Sequence, residues 1–193
     1  LANIRETDAI CHVVRCFENS DILHVDGSVD AIRDAETINL ELIFADLDSV
    51  EKRIVKIEKK AQSKVDDAPT EFALLKRIKE ALENELPVRS LEFSDTEQAY
   101  LKNYGLLTSK PFMFIANVAE DFISNYEEDE NYLKLKAYAE KTNSKIIGIS
   151  AEIESQLAVL DDEDKQMFLD DLGVTEPGLN RLIRATYDLL GYA

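Results

Sequence analysis

The chain has 193 residues, of which 22 are Lys or Arg and 39 are Asp or Glu, so its formal net charge is −17. This length, with 45% hydrophobic residues, allows a sizeable core, and the composition is neither low-complexity nor that of a disulfide scaffold. The negative charge opposes non-specific binding to nucleic acid or anionic lipid, because it repels phosphates. With only 6 Gly and 4 Pro, we expect helices to dominate.

The apolar runs are too short to span a bilayer, and the mixed charge of the first residues is not that of a signal peptide. We therefore expect a cytoplasmic protein without a membrane partner. Because the first residue is Leu1 rather than Met, we also expect the chain to be a piece of a longer protein.

The first predicted element is a strand over residues 8–17, which is apolar almost throughout, as in parallel sheets covered on both faces. It contains Cys11, His12 and Cys16. Their alternation on a strand places the two cysteines on opposite faces, which excludes a disulfide and a shared metal ion. We expect two buried, reduced thiols. His24 lies alone in a polar loop, so the sequence gives no reason to place a site there.

A long helix is predicted over residues 34–64, because its apolar residues alternate three and four positions apart. This stripe consists of Leu40, Ile43, Leu47, Val50, Ile54, Ile57 and Ala61. A second helix over residues 70–86 continues such a stripe, so the pair is predicted to form an antiparallel coiled coil. Near its tip lie Lys52, Arg53, Lys56, Lys59, Lys60 and Lys64. This basic cluster indicates either a solvated helix face or an arm that contacts phosphates.

The rest of the chain alternates strands and helices, which is typical of parallel βαβ units. A capping box at Ser94 and Glu97 predicts a short helix that ends near Gly105. Buried strands are predicted over residues 111–118 and 145–150, and helices over residues 131–142, 152–160, 163–172 and 177–190. The sequence therefore predicts a helix-rich α/β protein with a partial parallel sheet, interrupted by an inserted helical arm.

Polar residues follow the second and third predicted strands, at the edge where ligands bind in open parallel sheets. The second strand leads into Asn117-Val-Ala-Glu120, and the third leads into Ser150 and Ala151. An Asn with an acid three residues later, and Ser-Ala after the next strand, is the arrangement that reads the base in P-loop GTPases. The alternative is that these residues only cap the segments that follow them.

Glu120 stands where GTPases have an Asp that accepts two hydrogen bonds from guanine, and Val118 stands where they have a Lys. The longer Glu120 side chain would not place its carboxylate at the same two donors, so guanine would lose that contact. Adenine has an acceptor at N1 and an amine at C6, and it does not need the carboxylate. The motif therefore favours ATP over GTP.

In the order of these segments the chain resembles the YchF-type Obg-like ATPases over essentially its whole length. The resemblance is carried by residues 1–10, 36–42, 45–47, 117–120 and 176–184. It implies a P-loop NTPase of the translation-factor class that hydrolyses ATP, and GTP less well. It also implies a ribosomal partner, either the large subunit or the 70S particle. It also implies a nucleotide-binding domain from residues 1–20 and 107–193, with residues 21–106 as an inserted coiled coil.

By position, the resemblance assigns base recognition to Asn117 and Glu120, nucleotide contact to Val118, and the next base-side loop to Ser150 and Ala151. No Gly-x-x-x-x-Gly-Lys-Ser/Thr motif occurs in the sequence, and the segment that contacts Mg²⁺ in such proteins is missing too. We therefore expect a central fragment without a P-loop or a C-terminal TGS domain. It should be inactive alone and should carry no catalytic or metal-binding residue.

In the intact protein, ATP or GTP together with Mg²⁺ are the cofactors that the resemblance implies. The alternative function is a non-catalytic binding module, in which the basic arm docks on ribosomal RNA or protein.

Overall fold

A computed structural model of the chain describes residues 1–17 and 30–191. His24 and the predicted segment boundary at residue 20 therefore lie outside the described residues. Within the described ranges, no helix is both long enough and apolar enough to cross a membrane.

The helices and strands follow one another as α1 (Ala2–Arg5), β1 (Ile10–Arg15), α2 (Ala31–Gln62), α3 (Ala68–Glu83), α4 (Asp95–Lys102), β2 (Phe112–Asn117), α5 (Glu130–Lys141), β3 (Lys145–Ile149), α6 (Ala151–Leu157), α7 (Asp162–Leu172) and α8 (Gly178–Leu190). Short 3₁₀ turns lie at Val88–Ser90, Glu120–Phe122 and Tyr126–Glu128. Each predicted helix and strand has a counterpart whose ends differ by a few residues. The helix-rich α/β class is confirmed, whereas α1 and the 3₁₀ turns were not predicted.

The chain divides into two compact units. The helical unit consists of Leu1–Asp8 and Glu36–Pro111, and the sheet unit consists of Ala9–Ala35 and Phe112–Ala193. The first eight residues thus join the helices, although the sequence grouped them with the nucleotide-binding segments. The helical unit also begins later, and ends slightly later, than the insertion predicted at residues 21–106.

The sheet unit contains three parallel strands in the order β1-β2-β3. In register, Val13 lies opposite Ile115, and Ile115 lies opposite Ile147. One face of the sheet carries a core of Met113, Ile115 and Ile147, against which Leu182, Ala185 and Leu189 of α8 pack. Burial of these side chains is what holds α8 to the sheet.

Among the described strands, β2 at the centre of the sheet is the most completely buried. Five of the six residues of β2 are buried, whereas the Val13 side chain of β1 is 60% exposed. The expectation that β1 is buried on both faces is therefore wrong within the described residues, because it is an edge strand there. Cys16 is buried and Cys11 is exposed, so the expectation of two buried thiols is correct only for Cys16. Burial raises the pKa of Cys16 to about 12.

Three helices of the sheet unit begin at a side-chain cap. Asp129, Ser150 and Asp161 accept hydrogen bonds of 3.0, 3.3 and 2.8 Å from the backbone nitrogens of Tyr132, Ile153 and Asp164. Such caps satisfy backbone donors that the first helical turn leaves without a partner. They fix where α5, α6 and α7 start, and α6 starts at the end of β3.

The helical unit is built on the pairing of α2 with α3. Residues 63–67 connect the two helices. Glu51 of α2 and Lys79 of α3, which are equally far along the sequence from residue 65, form an ion pair of 3.7 Å. A pair placed so symmetrically about a short connection shows that the helices run antiparallel. Their shared core also takes in Val88, Tyr104 and Leu106, so the base of the hairpin is not a simple two-helix seam. The coiled coil itself remains a prediction.

A buried carboxylate ties α2 to the segment before β2. Asp46 is fully buried, and its oxygens accept hydrogen bonds of 2.8 Å from the backbone nitrogen of Leu107 and 2.7 Å from that of Thr108. The Thr108 hydroxyl donates a third bond to Asp46 and accepts one of 3.0 Å from the backbone nitrogen of Val88. Burial raises the pKa of the Asp46 carboxyl, although these hydrogen bonds favour its charged form.

The predicted capping box is present at the start of α4. The Ser94 hydroxyl accepts a hydrogen bond of 3.2 Å from the backbone nitrogen of Glu97, and the Glu97 carboxylate accepts one of 3.0 Å from the backbone nitrogen of Ser94. The helix ends at Lys102, slightly earlier than predicted. Gly105 follows with a φ of +61°, a conformation that favours glycine.

Candidate functional site

The carboxyl ends of the three strands lie side by side at one edge of the sheet. Asn117, the last residue of β2, is in register with Arg15 of β1 and with Ile149 of β3. Asn117 therefore occupies the centre of this edge, where open parallel sheets bind their ligands.

Asn117 connects all three strand ends. Its backbone carbonyl accepts a hydrogen bond of 2.9 Å from the backbone nitrogen of Cys16, which follows β1. Its side-chain oxygen accepts one of 3.0 Å from the backbone nitrogen of Ala151, which follows β3. The structure thus brings together Asn117 and the Ser150–Ala151 turn, two parts of the site that are far apart in sequence.

The Ser150–Ala151 turn is held from within the protein. Ser150 is 1% exposed, and its hydroxyl caps α6. Ala151 is exposed, and its N–H donates to the Asn117 side chain. Capping, the alternative that the sequence left open for these residues, is therefore present for Ser150. It is compatible with binding, since the exposed Ala151 still faces outward.

Val118, the next residue after β2, is buried. Its side chain is 2% exposed, and its backbone nitrogen donates a hydrogen bond of 2.8 Å to the carbonyl of Ile149. A buried valine extends the pairing of β2 with β3 by one residue. A contact of Val118 with a nucleotide would therefore have to be made by its backbone at the strand end, and the assignment of Val118 stays a prediction.

Glu120 begins the 3₁₀ turn that follows β2. Its side chain is half-buried, and its carboxylate has no hydrogen-bond or ion-pair partner among residues 1–17 and 30–191. The amide nitrogen of Asn117 likewise donates to no group in the described part of the chain. The edge therefore presents one free acceptor group and one free donor group, which is what the recognition of a heterocyclic base requires.

Sequence reasoning missed a group of residues beside this edge. The Arg181 guanidinium of α8 donates hydrogen bonds of 2.9 Å to the carbonyl of Gly148 and 3.0 Å to the hydroxyl of Tyr126. The one available signal was Gly148 itself, because a glycine within a buried isoleucine-rich strand marks the close approach of another group.

The basic cluster of α2 divides into engaged and free residues. Lys52 forms an ion pair of 2.7 Å with Asp48. The Arg53 guanidinium lies 4.8 Å from the ring centre of Tyr104 and donates a hydrogen bond of 3.2 Å to the carbonyl of Asn103. The exposed members of the cluster that make no such contact with residues 1–17 or 30–191 are Lys56, Lys59, Lys60 and Lys64.

A metal site is not evident at this edge. Nowhere in the part of the chain that the structure describes do three or more His, Cys, Asp or Glu side chains form a group that could hold a metal ion. The donor set that Mg²⁺ would need is therefore not supplied by the described residues.

Comparison with known proteins identifies relatives along the whole chain, although no family model matches it. The Ribosome-binding ATPase YchF of Bacillus subtilis (strain 168) is 51% identical over 193 residues, which are 100% of this chain and 53% of that protein. The Ribosome-binding ATPase YchF of Escherichia coli O157:H7 is 45% identical over 190 residues, covering 98% of this chain and 52% of that protein.

Among solved structures, the Schizosaccharomyces pombe YchF GTPase matches with a TM-score of 0.85 and 26% sequence identity, covering 98% of this chain and 52% of the other. The chain thus spans about half the length of the curated relatives it matches. Identity of this degree from end to end confirms the resemblance seen in the sequence. Over its whole length, the chain is homologous to YchF-type ATPases.

Proposed function

We propose that the full-length protein binds and hydrolyses ATP, and GTP less well, and that this chain supplies its base-recognition edge and its helical arm. The observation that carries the proposal is the hydrogen bond between Asn117 and Ala151, which joins the two segments that the sequence assigned to base recognition. The identity of 51% to a protein named a ribosome-binding ATPase supports the same function.

Asn117 is suited to hold a base from one side. Its side-chain oxygen is occupied by Ala151, so the amide is oriented and its nitrogen remains available as a donor. Both adenine and guanine have a ring nitrogen, N7, that accepts such a bond. Asn117 would therefore orient either base and would not discriminate between them.

Discrimination falls to Glu120. Its carboxylate is free of partners among the described residues and lies three positions after Asn117. Guanine needs an acid at a fixed distance from its N1–H and its amine, and the extra methylene of Glu changes that distance. The relatives differ in their names, since the bacterial proteins are called ATPases and the fission yeast protein a GTPase. We expect the protein to which this chain belongs to prefer ATP, as the names of the bacterial relatives indicate.

The phosphates and Mg²⁺ would be held by residues other than those described. Bound Mg²⁺ neutralises phosphate charge in proteins of this class, and positioning does most of the remaining work. The sequence contains no Gly-x-x-x-x-Gly-Lys-Ser/Thr motif, and the described residues form no metal-binding group. The role of this chain is thus to bind and orient the base, not to act on the phosphates.

The proposal is tested by comparing the full-length protein with residues 1–193 alone. The full-length protein should bind mant-ATP, a fluorescent ATP analogue, and should hydrolyse ATP in a reaction that a Mg²⁺ chelator stops. Residues 1–193 should show no measurable turnover. Turnover that stays with residues 1–193 through ion-exchange polishing would contradict the assignment of roles, and a full-length protein that fails to bind mant-ATP would contradict the function.

A second function is favoured by the exposed lysines of α2. Lys56, Lys59 and Lys60 lie within about one turn of α2, in a chain of net charge −17. Such a local reversal of charge suits contact with the phosphates of ribosomal RNA, on the large subunit or the 70S particle. The relatives named ribosome-binding ATPases support a ribosomal partner and hence a cytoplasmic location.

A further inference from the structure

Gly148 lies at the outer edge of β3, two residues before Ser150. The carbonyl of the next residue, Ile149, accepts a hydrogen bond from Val118 and so points toward β2. Because carbonyls alternate in direction along a strand, that of Gly148 points away from the sheet, where no strand of the described chain pairs with it. The guanidinium of Arg181 occupies this position, with its nitrogen 2.9 Å from the carbonyl oxygen.

The ring of Tyr126 covers Gly148 from the side. A Cβ atom on Gly148 would lie 2.4 to 2.9 Å from three ring carbons of Tyr126, which is closer than any real side chain allows. The ring is held in turn by Tyr132, whose ring centre lies 5.0 Å away in an edge-to-face arrangement. Only a glycine permits this approach.

Arg181 joins these two contacts into one clamp. The same guanidinium that binds the Gly148 carbonyl donates a hydrogen bond of 3.0 Å to the Tyr126 hydroxyl. Two donors in a fixed planar fork are a property of arginine and not of lysine. The start of α8 is fixed as well, because the backbone nitrogen of Gly178 donates a 2.7 Å hydrogen bond to the carboxylate of Glu154 in α6.

We propose that Arg181 and Tyr126 are positioning residues for nucleotide-base recognition, which hold β3 at Gly148 and so keep the Ser150–Ala151 turn against Asn117. The distance along the chain is short: Gly148 precedes Ala151 by three residues, and the Ala151 N–H reaches Asn117 over 3.0 Å. A shift of β3 at its free edge therefore moves this hydrogen bond directly. The inference rests on the proposed binding of a nucleotide base at this edge.

The test is Arg181→Gln in the full-length protein, with two measurements. Hydrogen exchange of the Ala151 amide should accelerate, because that amide is protected by its bond to Asn117. The Kd for mant-ATP should rise about tenfold, while kcat at saturating ATP stays within about twofold, because the Arg181 guanidinium is engaged by Gly148 and Tyr126 and is proposed to act only through the Ser150–Ala151 turn. Arg181→Lys should recover part of the binding, since lysine supplies one of the two bonds.

Arg184→Gln is the matched control. Arg184 lies one turn further along α8, is exposed, and pairs with the Glu176 carboxylate and not with β3. It should change neither measurement. Tyr126→Phe keeps the ring against Gly148 and removes only the hydroxyl, so it should give a smaller effect of the same sign in a folded protein.

Faster Ala151 exchange together with weaker binding supports the proposal. Faster exchange with an unchanged Kd overturns the role in base recognition, and unchanged exchange in Arg181→Gln overturns the clamp itself. If the unaltered full-length protein binds no nucleotide, the proposed function fails and the positioning role fails with it. The exchange measurement still reports in that case whether Arg181 holds the turn.

Discussion

The side-chain oxygen of Asn117 accepts a hydrogen bond of 3.0 Å from the backbone nitrogen of Ala151, 34 residues later in the chain. This bond orients the Asn117 amide, whose nitrogen has no hydrogen-bond acceptor among the described residues. It also makes the position of the Ser150–Ala151 turn depend on the end of β2. The ends of β2 and β3 are thus coupled to each other through one hydrogen bond.

Asn117→Ala should weaken nucleotide binding by the full-length protein. The substitution removes a donor to the base and the acceptor for Ala151, a loss of about 1.4 kcal/mol, or roughly tenfold in Kd. ATP and GTP should be affected alike. Titration with mant-ATP and mant-GTP measures this, and Asn180→Ala on the exposed surface of α8 is the control. Equal affinities of Asn117→Ala and the unaltered protein would contradict a role in binding.

Glu120→Asp should raise the affinity for GTP relative to ATP. Shortening the side chain brings the carboxylate to the distance that guanine requires, and we expect a change of about fivefold in the affinity ratio. The lysine that GTPases have at position 118 is not added, because Val118 is 2% exposed and a charge there would be buried.

The control for Glu120→Asp is Asp121→Glu. It moves a carboxylate by one methylene at the neighbouring exposed residue and should leave the ratio unchanged. Competition titrations with both nucleotides provide the measurement. A constant ratio in Glu120→Asp would place selectivity elsewhere in the protein.

Reversing three charges on α2 should separate ribosome binding from hydrolysis. Lys56→Glu, Lys59→Glu and Lys60→Glu together should weaken ribosome association and reduce the slope of log affinity against log salt by about three, roughly one for each phosphate contact. The basal ATPase rate should not change. Co-sedimentation with ribosomes over a range of salt concentrations measures the first effect.

Lys136→Glu, Lys141→Glu and Lys145→Glu provide the same change in charge on exposed residues of the sheet unit. If this control weakens association as much as the triple change on α2, net charge is responsible and the arm is not. A loss of hydrolysis in step with ribosome binding would also contradict an independent arm.

Thr108→Val should destabilise the helical unit by about 2 kcal/mol, because it leaves the buried Asp46 carboxylate and the Val88 N–H each short of one hydrogen bond. Thr108→Ser keeps the hydroxyl and should retain most of the stability. Urea denaturation followed by circular dichroism gives the two free energies of unfolding. Equal losses in both variants would show that the methyl group contributes as much as the hydroxyl, and an unchanged stability of Thr108→Val would contradict a stabilising role of the two hydroxyl bonds.

Local features of the sequence predicted much of this fold. β2 and β3 are largely apolar runs that end at Asn117 and Ile149, each one residue before its predicted end, and their ends lie side by side because parallel strands share one carboxyl edge. The start of α4 followed from Ser94 and Glu97 alone, since a capping box involves only neighbours in sequence. Such features need no knowledge of the tertiary structure.

What the sequence missed depends on contacts between distant residues. The burial of Val118 was not predicted, because it follows from the pairing of Val118 with Ile149. Arg53 was grouped with the free lysines, although Tyr104 and Asn103 engage it from 50 residues away. Arg181 lies on an amphipathic helix among other polar residues, and no pattern distinguishes it from Arg184. Only the folded chain does.

The close approach of Tyr126 to Gly148 restricts how these two positions can evolve. A side chain at position 148 would collide with the ring, and a smaller residue at position 126 would leave a void beside β3 and deprive Arg181 of an acceptor. Neither position can therefore change first without loss. The two are expected to vary as a pair among homologues, with a small residue at 126 wherever 148 has gained a side chain.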